Sequence, residues 1–192
     1  GTDAGSAEKR TQRKRILFVK TVQEKEKMKI SILYVSQSGN TEAAAESIQD
    51  GILVKYPFIQ VKMMNIREEE ADLEFLAESD PVLFGSPVYF TSLSWELKKW
   101  FDNSFRIPLQ GKLGAAFVTA QSPTGGTDTA IMEMVRYMLM KGMLVCSGMD
   151  SAKGHHFQIG AVGLAKEADT FSEAFEEFGA CVAQTVVKRF GR

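Results

Sequence analysis

The sequence is poor in the residues and segments that mark metal centres, disulfide scaffolds and membrane proteins. It contains two cysteines and two histidines in 192 residues, and no cluster of these with carboxylates has the spacing of a metal site. Cys146 and Cys181 share no motif, so we expect them to be small buried side chains. No apolar run approaches the roughly 20 residues of a membrane helix, and the N-terminus has no signal-peptide core. These absences favour a cytoplasmic protein without a resident metal.

Two common nucleotide-binding motifs are also missing. There is no Gly-x-x-x-x-Gly-Lys-Ser/Thr loop, whose lysine would reach a triphosphate, and no Gly-x-Gly-x-x-Gly turn for a dinucleotide. Their absence argues against ATPases and against Rossmann dehydrogenases.

Charge divides the chain into two parts. Residues 1–27 carry eight Lys or Arg against four acids, whereas residues 28–192 carry 15 against 20. The acidic body argues against a nucleic-acid partner. We predict that residues 1–27 form a basic N-terminal extension that is non-native or dispensable, and that residues 28–192 form a single domain.

From residue 28 onward, short apolar segments alternate with segments of helical periodicity. Strands are predicted at 30–35, 59–64, 81–85, 113–119 and 144–148, with a further candidate at 156–162, and helices at 41–53, 72–78, 93–105, 127–140 and 169–190. Strands that are apolar throughout are buried on both faces. The pattern therefore predicts an α/β fold with a doubly wound parallel sheet between helices, and a ligand site at the carboxyl ends of the strands.

The loop after the first strand, Ser-Gln-Ser-Gly-Asn-Thr at residues 36–41, has the composition of an anion site. Its three hydroxyls surround a glycine that permits a tight turn, and the chain then enters a helix whose first N–H groups are free to donate. The alternative is that Asn40 or Thr41 only caps the helix. Because the loop has no lysine and lacks the Cys and Arg of a thiol phosphatase, we favour a single terminal phosphate as its ligand.

Two further loops follow the third and fourth strands. Residues 85–94, Gly-Ser-Pro-Val-Tyr-Phe-Thr-Ser-Leu-Ser, carry no charge and offer a surface on which a flat apolar ring could pack. Residues 119–129 contain Gly125 and Gly126, which allow the backbone to approach closely. Ordinary loop packing explains either segment alone, but the three loops are predicted to converge on one crevice.

Together these segments resemble the flavodoxin-like FMN proteins. They are most similar to NAD(P)H:quinone oxidoreductases of the tryptophan-repressor-binding-protein type and to related NADPH-dependent FMN reductases, and the resemblance covers about residues 29–190. It implies a five-stranded sheet in the order 2-1-3-4-5 and a bound FMN. It also implies contacts to the FMN phosphate from Ser36, Gln37, Ser38, Gly39, Asn40 and Thr41, and contacts to the ring from Pro87, Val88, Tyr89, Phe90, Thr119, Ala120, Gln121, Gly125 and Gly126.

The resemblance leaves three classes of function open. A flavodoxin-type electron carrier disfavours the reduced anionic flavin, commonly with carboxylates around the ring. Residues 85–94 and 119–127 contain no Asp or Glu. We therefore predict an FMN-dependent enzyme that takes hydride from NADH or NADPH and reduces a quinone-like or flavin acceptor. The alternatives are an electron carrier and a non-enzymatic flavin-binding regulatory module.

Three other features bear on catalysis and assembly. His155 and His156 are candidates for protonating the acceptor, although loop histidines are more often simply exposed. Trp95 follows the second loop closely enough to border the ligand, although its helical spacing also suits the core. The methionines at positions 132, 134, 138, 140 and 143 make the predicted helix apolar over more than one face. This excess of apolar surface predicts a homodimer or a homotetramer.

Overall fold

The computed structural model of the protein describes Gln12 and residues 28–149, 157–165 and 168–191, except for the side chains of residues 168–170. In this described part, from residue 28 onward, the strands are β1 (Lys29–Tyr34), β2 (Gln60–Asn65), β3 (Pro81–Tyr89), β4 (Ser92–Leu93), β5 (Leu113–Ala120), β6 (Leu144–Val145) and β7 (Ala161–Leu164). The helices are α1 (Asn40–Lys55), α2 (Leu73–Glu78), α3 (Trp95–Asn103), α4 (Thr127–Met140) and α5 (Ala168–Phe190).

The sheet has the strand order β2-β1-β3-β5, and β6 and β7 both lie on the outer edge of β5. These neighbours pair in parallel, whereas β4 pairs antiparallel with β3. Because the chain passes from β2 across β1 to β3, the strand order reverses beside β1. The carboxyl ends of β1 and β3 flank this switch point, which is where ligands bind in such sheets. The predicted doubly wound fold class is confirmed.

The sheet has seven strands rather than the predicted five, because its fifth position holds two short strands and β4 pairs with the end of β3. β6 pairs with the beginning of β5 at residues 113–114, and β7 pairs with its end at residues 117–120. The strand predicted at 144–148 ends after two residues, where the N–H of Cys146 makes a last ladder bond to the carbonyl of Gly114 (2.8 Å). β5 is long enough to pair with two segments in turn, and the described residues between them, 146–149 and 157–160, form no strand.

Helices cover both faces of the sheet, as its apolar strands require. Alternate side chains of β1 point to opposite faces, so that Ile32 packs in the layer of α1 and α5 while Leu33 packs in the layer of α2, α3 and α4. Phe117 and Phe84 are fully buried in the first and second layer, respectively. These two layers fix the strand ends from which the loops of the site leave. Within the described ranges, no helix is both long and apolar enough to cross a membrane.

Tyr137 in α4 is a buried polar residue of the second layer. Its ring stacks on Phe101 with the ring centroids 3.8 Å apart, and its hydroxyl contacts Ser104 Oγ. The Ser104 hydroxyl donates to the carbonyl of Phe101 (2.7 Å), so the phenol is the donor in its contact with Ser104. Burial raises the pKa of Tyr137 from 10.0 to about 12, because the phenolate would lie in an apolar layer.

This pKa shift predicts alkaline destabilisation. We expect the contribution of Tyr137 to the free energy of unfolding to be complete below pH 10.0 and to be lost as the pH rises to about 12, since the unfolded tyrosine ionises first. The Tyr137→Phe variant should therefore lose less stability over this interval than the unmodified protein. Urea unfolding of both proteins at several pH values between these limits measures the effect. Equal slopes for the two proteins would contradict it.

Candidate functional site

The candidate site is formed by three segments at the carboxyl ends of neighbouring strands. We call residues 36–41, after β1, the cradle loop, and residues 88–93, at the end of β3 and in β4, the hairpin. Residues 121–126, after β5, are the glycine loop. Because β1, β3 and β5 are adjacent and parallel, all three segments leave the same edge of the sheet. The sequence-based prediction that these segments converge agrees with this topology.

The cradle loop is held at its first residue by Asn65, the last residue of β2. The N–H of Ser36 donates to Asn65 Oδ1 (3.1 Å), and Asn65 Nδ2 donates back to the carbonyl of Ser36 (3.2 Å). The N–H of Arg67 also donates to Asn65 Oδ1 (3.3 Å). Asn65 is buried, so one side chain from the neighbouring strand fixes where the loop begins. The sequence analysis missed this residue. The one feature that could have indicated it is that a polar side chain ends a strand with several apolar residues.

The side chains of the cradle loop have unequal roles in starting α1. The N-cap is Gly39, with φ 87° and no side-chain capping bond. Ser36 supplies the cap instead, because its hydroxyl accepts from the N–H of Glu42 (3.2 Å). Asn40 donates to Ser38 Oγ (3.3 Å), and Thr41 contacts Thr119. The alternative in which Asn40 or Thr41 caps the helix is therefore wrong.

A row of backbone donors remains in the cradle loop. Among the residues that the structure describes, no acceptor meets the N–H groups of residues 37–41. Gln37, Ser38 and Gly39 are exposed, and the loop contains no charged side chain. Consecutive free N–H groups at the start of a helix carry partial positive charge and suit an anion. The loop can thus bind an anion without a cationic side chain.

Two contacts join the cradle loop to the other strands. Thr41 Oγ1 and Thr119 Oγ1 share a buried hydrogen bond of 2.8 Å, which links the first turn of α1 to the end of β5. The hydroxyl of Tyr89, on the hairpin, donates to Gln37 Oε1 (3.4 Å). These contacts link the cradle loop to both of the other strands that end at the site.

One carboxylate of α1 lies beside the cradle loop. Glu42 Oε1 accepts a hydrogen bond from the hydroxyl of Tyr34 (3.3 Å). Burial, and then Glu42 itself, hold the pKa of Tyr34 well above its usual range. The phenol therefore stays protonated and remains a donor to Glu42.

The hairpin is a two-residue turn in an unusual conformation. Val88 pairs with Leu93 and Tyr89 pairs with Ser92, which leaves Phe90 and Thr91 in the turn. Both have positive φ, at 47° and 69°, as a type I′ turn requires. Glycine and asparagine favour this turn, whereas a bulky residue in it costs about 1–2 kcal/mol. The side chain of Phe90 is nevertheless fully exposed, with no packing in the domain to offset this cost.

The hairpin differs from its sequence-based assignment. The strand predicted at 81–85 continues to Tyr89, so Pro87 is buried within β3 and pairs with Thr119. The helix predicted from residue 93 begins at Trp95, because Leu93 pairs with Val88 instead. The sequence analysis missed the short strand β4, because a strand of two residues is too short to show a periodic pattern.

The glycine loop lies directly against the hairpin. Gly126 has φ 98°, and a Cβ atom added to it would lie 2.4 Å from Thr91 Cα and 2.6 Å from the Thr91 carbonyl oxygen. Only glycine allows this approach, because the neighbouring atoms belong to the backbone. At Gly125 the nearest atom to an added Cβ is the carbonyl oxygen of Ser122, at 3.1 Å. The contact between the two loops therefore depends on Gly126.

Glu133 in α4 supports the hairpin from below, and sequence reasoning missed it. Its carboxylate accepts from the hydroxyl of Ser92 (2.9 and 3.0 Å to the two oxygens) and from the N–H of Leu93 (3.1 Å). The neighbouring residues in the sequence could not have indicated this contact, because Ser92 and Glu133 are 41 positions apart in the chain. A carboxylate thus lies under a loop whose own sequence has none.

The remaining predicted residues are distributed as follows. Ala120 is buried at the end of β5, and Gln121 is exposed at the start of the glycine loop. Trp95 begins α3 and is 67% exposed. His155 and His156 lie outside the described residues, as does the predicted extension of residues 1–27 apart from Gln12. Within the described residues, no group of three or more His, Cys, Asp or Glu could hold a metal ion.

Comparison with known proteins gives the relatives of this chain. A family profile described as a flavodoxin-like fold matches residues 15–181. A protein of Clostridium saccharobutylicum named flavodoxin is 40% identical over 163 residues, which cover 85% of this chain and 100% of the relative. An NAD(P)H dehydrogenase (quinone) of Archaeoglobus fulgidus is 28% identical over 171 residues, which cover 73% of this chain and 89% of that protein.

Solved structures with a similar fold include flavodoxins as well. The flavodoxin, WrbA-like protein from Agrobacterium tumefaciens matches with a TM-score of 0.70 at 21% identity, over 84% of this chain and 98% of that one. A flavodoxin from the domain Archaea matches with a TM-score of 0.66 at 28% identity, over 83% and 99% of the two chains. The resemblance inferred from the three loops is confirmed. The chain belongs to the family of proteins with the flavodoxin-like fold.

Proposed function

We propose that the crevice between the three loops binds FMN. The free N–H groups of residues 37–41 would hold its phosphate, and Ser36, Ser38 and Thr41 would shape the loop around it. The hairpin residues Tyr89 and Phe90 and the glycine loop would contact the ring, with Pro87, Val88, Thr119, Ala120, Gln121, Gly125 and Gly126 as the supporting residues. The free donors and the absence of a charged side chain in the loop support a single phosphate rather than a triphosphate.

We infer that the protein is an FMN-dependent oxidoreductase. Bound FMN would supply the two-electron chemistry that connects NADH or NADPH with a quinone-like or flavin acceptor. The observation that carries this assignment is the absence of Asp and Glu from residues 85–94 and 119–127, so that no carboxylate of these segments opposes negative charge on the ring. Glu133 is the carboxylate under the hairpin, and its hydrogen bonds from Ser92 and Leu93 stabilise its charge locally.

A second candidate function is electron carriage between proteins. It is favoured by the relative named flavodoxin, which is 40% identical and matched over its full length. The two functions differ in what they require of the electron donor. An enzyme must turn over NADH or NADPH with a small acceptor, whereas a carrier needs only a protein partner.

Steady-state turnover separates these functions. The FMN-loaded protein is mixed with NADH or NADPH and a soluble quinone, and the oxidation of the nicotinamide is followed. Sustained oxidation that depends on both protein and quinone supports the enzyme and rejects the carrier and the regulatory module. Photoreduction to a long-lived one-electron-reduced state, without nicotinamide turnover, supports the carrier instead.

Phe90 provides a test of the ring-binding assignment. Replacing Phe90 and Thr91 by Asn and Gly supplies the residues that a type I′ turn prefers, and no buried surface is lost because Phe90 is fully exposed. We expect the double variant to gain about 1 kcal/mol in free energy of unfolding and to bind FMN at least about tenfold more weakly. Urea unfolding and a fluorescence titration of FMN measure the two effects. Unchanged FMN affinity would remove Phe90 from the proposed site.

Self-association is a further part of the proposal. Among the methionines of α4, Met134 and Met138 are buried, whereas Met132 and Met140 are exposed. Leu139 is also exposed. We propose that these side chains meet another copy of the chain in a homodimer or homotetramer. Sedimentation velocity of the FMN-loaded protein tests this, and a monomer at all concentrations would contradict it.

A further inference from the structure

A cleft lies beside the candidate site, between the segment after β2 and helix α3. It has a volume of about 530 Å³, within the range of small-ligand sites. Its walls include Arg67 and Trp95, and both are close in sequence to parts of the site. Arg67 donates through its N–H to Asn65, which holds the cradle loop, and Trp95 follows the hairpin by two residues. The cleft therefore adjoins the crevice without being part of it.

Glu96 gives the cleft an unmet hydrogen-bond acceptor. Its side chain is 12% exposed, and Oε1 pairs with Arg67 Nη1 at 2.5 Å. The other oxygen, Oε2, is buried and has no hydrogen-bond partner among the described residues. A buried carboxylate oxygen without a donor is costly, so a ligand that donates a hydrogen bond to this atom would be stabilised.

Two cations and two indole rings complete the walls. Lys99 Nζ lies 5.7 Å from the centroid of the Trp95 ring and makes no ion pair within the described part of the chain. Arg67 uses one terminal nitrogen for Glu96, and its guanidinium has further donors. Trp95 is 67% exposed, and Trp100 also lines the cleft. The cleft thus offers an exposed ring for stacking, one acceptor, and more positive than negative charge.

We propose that this cleft binds the adenosine phosphate half of the nicotinamide nucleotide, an inference that rests on the proposed function. Adenine is flat and carries an exocyclic amine, which would donate to Glu96 Oε2 while the ring stacks on Trp95. The phosphates would lie against Lys99 and Arg67. A bare anion would leave Glu96 Oε2 without a donor. A divalent cation needs several oxygen ligands, whereas this cleft places a lysine and an arginine beside one carboxylate.

The chain carries its own reporter for this site. It contains two tryptophans, Trp95 and Trp100, and both line the cleft, so tryptophan emission responds to a ligand bound there. The FMN-loaded protein is titrated with 5′-AMP and with 2′,5′-ADP, and adenosine serves as the probe without phosphate. Calorimetry of the same titrations gives the affinity. We expect saturable quenching by at least one phosphorylated probe and at least about tenfold weaker binding of adenosine.

Variants on one helix localise the binding. Lys99→Gln removes the cation over Trp95, and Lys98→Gln is its matched control, since Lys98 pairs with Asp102 outside the cleft. We expect Lys99→Gln to lower the affinity for the phosphorylated probe about tenfold. The KM for NADH or NADPH should rise by a similar factor, whereas kcat and the KM for quinone should stay unchanged. Lys98→Gln should change none of these quantities. Glu96→Gln should weaken the binding of adenosine as well as that of its phosphates, because the substitution removes the charged acceptor.

The outcomes separate this inference from the proposed function. Turnover of NADH or NADPH with no probe binding, and with Lys99→Gln and Lys98→Gln behaving alike, would overturn the inference and leave the function standing. Probe binding that Lys99→Gln weakens, in a protein that does not oxidise either nucleotide, would retain an adenine-nucleotide cleft and reject the proposed reaction.

Discussion

The Gly126→Ala variant is expected to bind FMN at least about tenfold more weakly than the unmodified protein, and the loss in the Gly125→Ala variant is expected to be clearly smaller. A Cβ at position 126 would lie 2.4 Å from Thr91 Cα, and φ is 98° there. The glycine loop and the hairpin must therefore move apart, which separates two walls of the proposed ring site. We expect this change to lower the free energy of unfolding by about 2–4 kcal/mol.

Gly125→Ala is the matched control for this prediction. An added Cβ at position 125 would lie 3.1 Å from the carbonyl oxygen of Ser122, within the same loop, and would not approach the hairpin. FMN titration and urea unfolding of both variants give the comparison. Equal affinity in the two variants would mean that the contact between Gly126 and Thr91 does not shape the FMN site.

Asn65→Ala is the second change with a large expected effect. It removes the acceptor of the Ser36 and Arg67 N–H groups and the donor to the Ser36 carbonyl, and the two bonds to Ser36 are buried. Leaving such groups unpaired lowers the free energy of unfolding by about 2–4 kcal/mol. Since Asn65 holds the first residue of the cradle loop, we also expect FMN affinity to fall at least about tenfold.

A control at the opposite end of the sheet distinguishes a general loss of stability from a displacement of the cradle loop. Ser79 is buried just before β3, where its hydroxyl contacts Ser31 Oγ (2.8 Å) and donates to the Phe75 carbonyl (2.8 Å). Ser79→Ala should lower the free energy of unfolding by about 1–2 kcal/mol without weakening FMN. If Ser79→Ala lost as much FMN affinity as Asn65→Ala, general destabilisation would explain both results.

The parts of the fold that sequence predicted are those that a local pattern determines. β1 and β5 were predicted within one residue at each end because their apolar runs are buried throughout. The cradle loop was recognisable because hydroxyls and a glycine lie between a strand and a helix. In such segments the neighbouring residues alone limit the conformation.

The parts that sequence missed depend on residues distant in the chain. Asn65 and Glu133 contact the loops only because β2 lies beside β1 and α4 lies under the hairpin. The division of the fifth position into β6 and β7 depends on the register of both with β5. The hairpin turn was hidden for another reason, since Phe90 and Thr91 are not the residues that a type I′ turn favours.

We propose that this flavodoxin-like protein binds FMN in the crevice and that NADH or NADPH reduces the bound FMN by two electrons. The most direct test of this claim is the absorption spectrum of the FMN-loaded protein, recorded before and after anaerobic addition of either nucleotide. We predict that the flavin band bleaches within seconds of addition. A flavin band that is present and stays unchanged with both nucleotides would contradict the claim and leave the electron carrier as the better account.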